Sequence, residues 1–457
     1  MKNQQLWLLL IILPTWINLL LKAYAFIGIL GSNGLANKFL HLFGIGPVNI
    51  LFTDFAFIFV ATYIEIPFMI LPIFNAIKEI NPAVIQASED LGASRWQTFR
   101  YVLWPLSRPG VESGVQAIFI PSLSLFMLTR LIGGNRVITL GTAIEEYFMT
   151  TMNWNMGATI GVILIVLMVL VMLLTSKKSE EKEGRLMRRR HLIARIYLSL
   201  TLVLLYVPIF YLIYFSFSSG ENMNKFEHFT WAHYQTLFQD NRLLAIFLET
   251  ILLALLSSLI ATVIGTLGAI AINGMKKEVH KKTTLALNNV LMVSPDVIIG
   301  ASFLIFFTAL GIGLNFGSVL LSHIAFSIPI VVLMVLPRLN EMDMSLIDAA
   351  RDLGANSWQV FSNVLIPTIM PGIFSGMFMA LTYSLDDFAV TFFVTGNGFS
   401  TLSVEIYSRA RQGIDLEVNA LSTVMFLFVL LLVGIYYFIT TKKNRRKNHR
   451  VIGGLVK

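Results

Sequence analysis

The 457 residues are 56% hydrophobic and 13% charged, with 34 Lys+Arg against 26 Asp+Glu and a mean hydropathy of +0.74. Soluble domains carry about 25% charged residues, so a normal hydrated surface is excluded, and the net charge of +8 reads as basic cytoplasmic loops of a membrane protein rather than a nucleic-acid face. The absence of cysteine excludes disulfides, thiolate catalysis and Cys-ligated metals, and the histidines show no metal-ligand spacing.

Apolar runs of about 20 residues, enough to cross about 30 Å of hydrocarbon, fall at 5–31, 52–77, 111–131, 157–175, 193–216, 244–273, 286–312, 315–337, 372–393 and 419–440. They predict an all-α polytopic membrane protein with about ten transmembrane helices. The first run extends past a signal-peptide core, contains Lys22 and lacks a small-residue cleavage site, so it is read as a helix. With residue 1 in the cytosol, 25 Lys/Arg fall in inside segments and 6 outside, which places both termini and the loops 78–108 and 338–371 in the cytosol. The predicted organisation is a first half, 1–175, a basic cytosolic linker, 176–192, a second half, 193–440, and a basic tail, 441–457.

Ionisable groups inside spans are costly in hydrocarbon and point to a functional cavity. Glu65 precedes Pro67 in the second run, Asp296 follows Pro295 where the helix should distort, and Asp386 and Asp387 lie in the ninth. Carboxylates around a midplane path could replace the hydration of ammonium groups, with Trp16, Tyr63 or Tyr383 adding cation–π contacts. The alternative for each carboxylate is a structural pairing with a neighbouring helix, and for each aromatic ring ordinary packing. Arg409 and Arg411, in the outer loop 394–418, are either contacts for an acidic partner or solvated charges.

Residues 87–110 recur at 349–372, with thirteen identities at an offset of 262. Both copies precede a span on the cytosolic side, a parallel repeat. In the first, Asn81 should cap a helix that begins at Pro82 and ends before Gly92; Ser94 and Gln97 form a capping box for a second helix, stopped before Pro105. In the second, Ser345 is the expected cap, Gly354 the terminator, and Asn356 with Gln359 the box. Alone, each copy reads as an interfacial amphipathic helix pair. Duplication points to a rigid knob offered twice to a partner with two equivalent clefts. The contact residues are Ala87, Asp90, Leu91, Gly92, Ala93, Trp96 and Phe99, and Ala349, Asp352, Leu353, Gly354, Ala355, Trp358 and Phe361.

These loops resemble the EAA signature of ABC-importer permeases, as Gln86-Ala87-Ser88 with Gly92 and Val102-Leu103-Trp104-Pro105, and as Asp348-Ala349-Ala350 with Gly354 and Val364-Leu365-Ile366-Pro367. The leading Glu of the signature is replaced in both. From about 195 to 440 the chain resembles the C-type permease of spermidine/putrescine importers, through Met292-Val293-Ser294-Pro295-Asp296, Leu385-Asp386-Asp387-Phe388, Phe393-Val394-Thr395-Gly396, Ile406-Tyr407-Ser408 and Glu417-Val418-Asn419-Ala420-Leu421-Ser422, departing at Ser403-Val404-Glu405 where the family tends to have Pro-Leu-Lys. Residues 5–175 are more loosely similar to the B-type permease, for instance in Leu13-Pro14-Thr15-Trp16-Ile17-Asn18. The resemblance implies a type I ABC-importer permease fold of two fused halves, the first with four helices where such permeases usually have six. It further implies a cytosolic ATPase homodimer docked on the two loops, an extracytoplasmic solute-binding protein, the bacterial inner membrane and a small cationic substrate. No phosphate-cradling G-x-x-x-x-G-K-[ST] occurs, so ATP hydrolysis is expected in a separate subunit and no cofactor in this chain. Open alternatives are the same machine for thiamine, iron or an anion, and an ATP-independent secondary transporter.

Overall fold

The computed structural model describes residues 10–11, 13–123, 125–175, 192–220, 222–413, 416–428, 430–431 and 434. All but the last residue of the predicted linker, the whole basic tail and most of 429–440 lie outside them. Among the described residues the architecture is helical, with one isolated antiparallel bridge between Ser218 and Phe229.

In the first half the principal helices are α1 (Leu19–Leu30), α2 (Asp54–Glu79), α3 (Pro82–Asp90), α4 (Trp104–Ser122), α5 (Phe126–Leu131) and α6 (Trp154–Thr175). The second half contains α7 (Leu192–Ser216), α8 (Asn241–Asn273), α9 (Glu278–Val293), α10 (Asp296–Ala309), α11 (Phe316–Asn340), α12 (Ser345–Asp352), α13 (Ile366–Asp386), α14 (Ala389–Val394) and α15 (Leu402–Gln412). Among the described residues six helical runs are long and apolar enough to cross a membrane, and a bent pair, α9 with α10, makes a seventh if it is one span. Several expected spans are therefore not single rods. The first is broken at Pro14, where a 3-10 turn, Leu13–Trp16, precedes α1. The third divides at Leu123–Leu125 between α4 and α5, the seventh bends by 99° at Ser294–Pro295, and the ninth divides at Asp387 between α13 and α14. Of the tenth, Leu416–Phe428 is a short apolar helix.

The repeat extends from sequence into packing. A Cβ on Gly110 of α4 would stand 2.7 Å from the Pro72 carbonyl of α2, and one on Gly372 of α13 would stand 2.9 Å from the Met334 carbonyl of α11. Both pairs keep the same offset of 262 residues. Glycine is needed at each because the helix backbones touch there. Gly110→Val and Gly372→Val should each lower stability by about 1–3 kcal/mol through overpacking, seen as a lower apparent melting temperature in detergent.

The halves differ in what covers these pairs. In the second half α8 packs on both α11 and α13, with a Gly265 Cβ position 2.7 Å from Val331. Ile330, Val331, Val335 and Leu339 are consequently buried. Their counterparts in the first half include Phe68 and Ile77, both exposed, since no described helix of that half lies where α8 lies.

The halves also interlock. α1 packs against α15 of the second half, and α10 packs against the short helix Leu140–Glu145 of the first. Phe126 and Phe148 of the first half meet Phe393 of the second, with ring centroids 6.2 and 6.4 Å apart, while Phe126 also lies 5.9 Å from Phe388. All four rings are buried, so this end of the interface is filled by aromatic packing.

Candidate functional site

Two regions carry the sequence-predicted residues: the duplicated loops and the helix breaks near the middle of the bundle.

In the first loop Asn81 accepts from the Ala83 amide and caps α3, with Pro82 in the first turn. α3 ends at Asp90, and Gly92, at φ +80°, reverses the chain. Ser94 and Gln97 form the expected reciprocal capping box. The second loop repeats this with Gly354 at φ +82° and the Asn356–Gln359 box. Two expectations need correction. Ser345 is the first residue of α12 and not its cap; the side chain that receives the Ser345 amide is Asp343, at 3.0 Å. That bond, from the Ser345 backbone first and its side chain second, holds the Asp343 carboxyl below its ordinary range. Nor do Pro105 and Pro367 stop the second helix. A π segment, Phe99–Leu103 or Val360–Leu365, leads directly into α4 or α13. The proline then occupies the first turn of that helix, where its missing N–H costs little.

The result is the same knob twice. Leu91 is 87% and Leu353 89% exposed at the tips. Behind them Trp96 stacks on Phe99 with centroids 5.6 Å apart and planes at 25°, and Trp358 stacks on Phe361 at 5.5 Å and 26°. Ala87, Asp90, Ala349 and Asp352 are also exposed, while Ala93 and Ala355 are half-buried beneath the turn. Bulky apolar side chains held rigidly outward on a polar loop are the anatomy of a protein-docking surface. No Cβ neighbour lies within 4 Å of Gly92 or Gly354, so any effect of substitution there arises from the left-handed backbone. Gly92→Val with Gly354→Val should weaken docking by about tenfold or more, since a β-branched residue resists positive φ at about 1–2 kcal/mol per site, without lowering the yield of folded permease; co-purification with the ATPase reads it.

The four acidic residues divide into distinct settings, Asp296, Asp386 and Asp387 at helix breaks and Glu65 within the continuous α2. Asp387 holds the break between α13 and α14: it accepts from the Val390 amide at 3.3 Å and from the Thr391 amide and hydroxyl at 2.9 and 2.7 Å. His323 of α11, fully buried, brings Nε2 to 3.4 Å from Asp387 and 2.9 Å from the Thr391 hydroxyl; its Nδ1 is 2.7 Å from Ser384 Oγ, which is 3.0 Å from Ser257 Oγ of α8. Thr391 spends its hydroxyl proton on Asp387, so it accepts from His323 Nε2, and Ser384 donates to Nδ1. One network thus joins α8, α11, α13 and α14.

Asp386 crosses to the other half. Its Oδ1 accepts from the Leu19 amide at 3.0 Å at the start of α1, and its carbonyl accepts from Asn18 Nδ2 at 3.4 Å. Asn18 also donates to Ser403 Oγ at 2.7 Å and caps its own helix through the Leu20 amide. Lys22, one turn further along α1, is only 5% exposed, donates to the Pro14 carbonyl at 3.4 Å, and interacts electrostatically with Asp386 and Glu65. Glu65 is buried on α2. Asp296 opens α10 after the bend, half-buried, and accepts from Tyr383 OH at 3.0 Å; Tyr383 is 42% exposed. Tyr63 is buried and donates to the Leu205 carbonyl of α7 at 2.6 Å, which ties two helices together. Trp16 sits on the 3-10 turn before α1, its side chain outside the described set.

Sequence reasoning missed His323, Lys22, Asn18 and Ser403. Lys22 was visible as a cation inside an apolar run, and Asn18 and Ser403 only as members of segments compared with the family; His323 carried no signal. On the outer side, Arg409 is not a solvated charge: it pairs with Glu405 at 3.1 Å, Glu417 at 3.0 Å and Asp240 at 3.5 Å, and Glu405 also takes Arg242 at 2.8 Å. Arg411 lies 5.9 Å over the Tyr407 ring. The departure Ser403-Val404-Glu405 therefore supplies two linked contacts, Ser403 to Asn18 and Glu405 to the arginines.

The family described as binding-protein-dependent transport system inner membrane component matches residues 4–176 and 264–448. The chain belongs to this family. It is a multi-pass inner-membrane permease subunit of an ABC importer, a transport component that works with an ATPase and a solute-binding protein. Its two matched stretches fall one in each of the two fused halves. Among relatives, the spermidine/putrescine transport system permease protein PotC of Haemophilus influenzae is 34% identical over 240 residues, 52% of this permease and 93% of that protein. PotB of the same organism, another spermidine/putrescine permease protein, is 35% identical over 163 residues, 35% of this permease and 57% of that one. The putrescine transport system permease protein PotI of Escherichia coli K12 is 32% identical over 241 residues, 51% and 84% respectively. Among solved structures, a bacterial ABC transporter importing alginate aligns at 14% identity and TM-score 0.43, over 55% of this permease and 94% of that chain.

Proposed function

We propose that this permease imports polyamines, spermidine and putrescine, received from a solute-binding protein on the outer face and driven by a cytosolic ATPase homodimer seated on the two duplicated knobs. Both termini are cytoplasmic, following the distribution of Lys and Arg. The chain itself carries no cofactor; ATP is bound and hydrolysed by the partner. The relatives named for spermidine and putrescine support the substrate, and the acidic midplane supports its charge.

The observation that carries the substrate reading is the Asp296–Tyr383 pair. Of the four midplane carboxylates, Asp387 and Asp386 are engaged by amides and hydroxyls, and Glu65 is buried beside Lys22. Among the described residues Asp296 has one hydrogen-bond partner, Tyr383, and that partner is exposed. Pro295 turns the chain so that this carboxylate stands at a helix start inside the bundle. An ammonium group would take one oxygen while the Tyr383 ring offers its face.

Asp296→Asn should lower uptake of labelled spermidine and putrescine by more than tenfold in a cell lacking its own polyamine importers, with membrane abundance unchanged. Uptake of neither solute by the unmodified system would reject the polyamine reading. Uptake persisting after deletion of the ATPase would favour a secondary transporter.

A further inference from the structure

We infer that Asp386 is a latch between the two halves, a positioning residue that couples the docking knob of the second half to the first helix of the first. It rests on the reading of the knobs as ATPase seats, but not on the identity of the solute.

The second half contains one continuous helical run of 30 residues, Ser357–Asp386. Its cytosolic end carries the Trp358–Phe361 stack, and its far end is Asp386. A displacement of the knob is therefore delivered to Asp386 along a rod about 45 Å long, at 1.5 Å per residue. There the carboxylate holds the Leu19 amide, one of the unpaired donors at the N-terminus of α1, where the helix dipole also favours a negative charge. The Asn18–Ser403 bond brings α15 to the same point.

The neighbouring acid separates the two roles. Asp387 is fixed within its own half by Thr391 and His323, so the break in the helix is anchored independently. Asp386 has its hydrogen bonds to the opposite half. Its removal should thus loosen the contact between halves while leaving the break intact. The first half carries no carboxylate at the equivalent positions: Ser124, outside the described residues, and Leu125 stand 262 positions before Asp386 and Asp387, and the described run from the first knob ends at Ser122. Coupling through such a latch is one-sided, from the second knob to α1.

The test uses the full permease reconstituted in liposomes with its ATPase subunits and binding protein, comparing Asp386→Ala with Asp386→Asn. Asparagine keeps an acceptor for the Leu19 amide and removes the charge. Under the latch, Asp386→Ala should raise basal ATP hydrolysis by about fivefold or more and reduce the solute moved per ATP by about tenfold, about 1.4 kcal/mol and within the range for a charge-assisted bond. Asp386→Asn, which keeps the acceptor but loses the charge facing the helix N-terminus and Lys22, should fall clearly between the unmodified protein and Asp386→Ala on both readings. Equal damage by the two changes would mean that the charge itself is required, as at a cation site, and would overturn the latch; so would unaltered basal hydrolysis in Asp386→Ala. A second arm guards against simple misfolding. The chain has no cysteine, so Asn18→Cys with Ser403→Cys allows a defined cross-link. Oxidation should block the ATPase cycle and reductant restore it, whereas cycling unaffected by the cross-link would also overturn the proposal. Hydrolysis reports in both arms whether or not polyamines are the cargo.

Discussion

Aspartate at both Leu91 and Leu353 is expected to release the ATPase from the membrane complex, with co-purification falling at least hundredfold while the permease remains folded. Each leucine is almost fully exposed at the tip of a turn fixed by a left-handed glycine and two capped helices. Exposure makes the substitution harmless to the fold. Burying a leucine in a partner cleft contributes about 1.5–3 kcal/mol, and an aspartate in its place must shed its hydration. Two knobs on one rigid body act together, since the second docks at the raised effective concentration set by the first. Either single change should therefore weaken assembly less than the pair. Equal co-purification of the double variant would exclude the knobs as the docking surface.

The second large effect concerns stability. His323→Leu should destabilise the protein by about 3–5 kcal/mol, the range observed when one partner is removed from a buried hydrogen-bonded charge network. Leucine approximates the volume of the ring but returns neither of its nitrogens. Asp387 keeps its Thr391 and Val390 donors but loses the ring nitrogen 3.4 Å away, and the Thr391 and Ser384 hydroxyls lose their ring partners. Because the network ties four helices, the loss should appear as a lowered midpoint in thermal unfolding and an increased aggregated fraction in detergent. His323→Gln, which can still donate and accept, should recover part of it. A midpoint within a degree of the unmodified protein for His323→Leu would show that the network is not a structural centre.

How far the sequence already described this molecule differs between its surface loops and its interior. The loops were legible because their determinants are local: Asn81, Gly92, Ser94 and Gln97 act on amides within a few residues, and the same spacing recurs 262 positions later. Ser345 misled because Asp343, two residues earlier, accepts from the Ser345 amide and so places that residue in the first turn of the helix and not before it. Pro105 and Pro367 misled for a related reason. A preceding π segment leaves the proline nitrogen at a position that needs no donor. Hydropathy found the apolar runs but not their interruptions at Pro14 and Asp387, since a broken helix inside a protein is as apolar as an intact one; the bend at Pro295 was expected from the proline itself.

The midplane was legible as a set of costly charges and opaque in its pairings. Asp386 and Asp387 are adjacent in sequence, yet one reaches Leu19, 367 residues away, and the other His323. Those partnerships depend on how helices from two halves are brought together, which no local pattern encodes. His323 stood in an apolar segment with nothing to mark it, and Ser403 was visible only as part of a departure from the family pattern. Lys22 could have been flagged by the rule that exposed the acids, that a buried charge implies a partner.

The central claim is that one chain supplies both permease halves and therefore seats two ATPase copies. Native mass spectrometry of the purified complex in mild detergent weighs this directly. The account predicts one 51.3 kDa permease chain with two ATPase subunits. A complex holding two permease chains for two ATPase subunits, or one chain with a single ATPase, would contradict it.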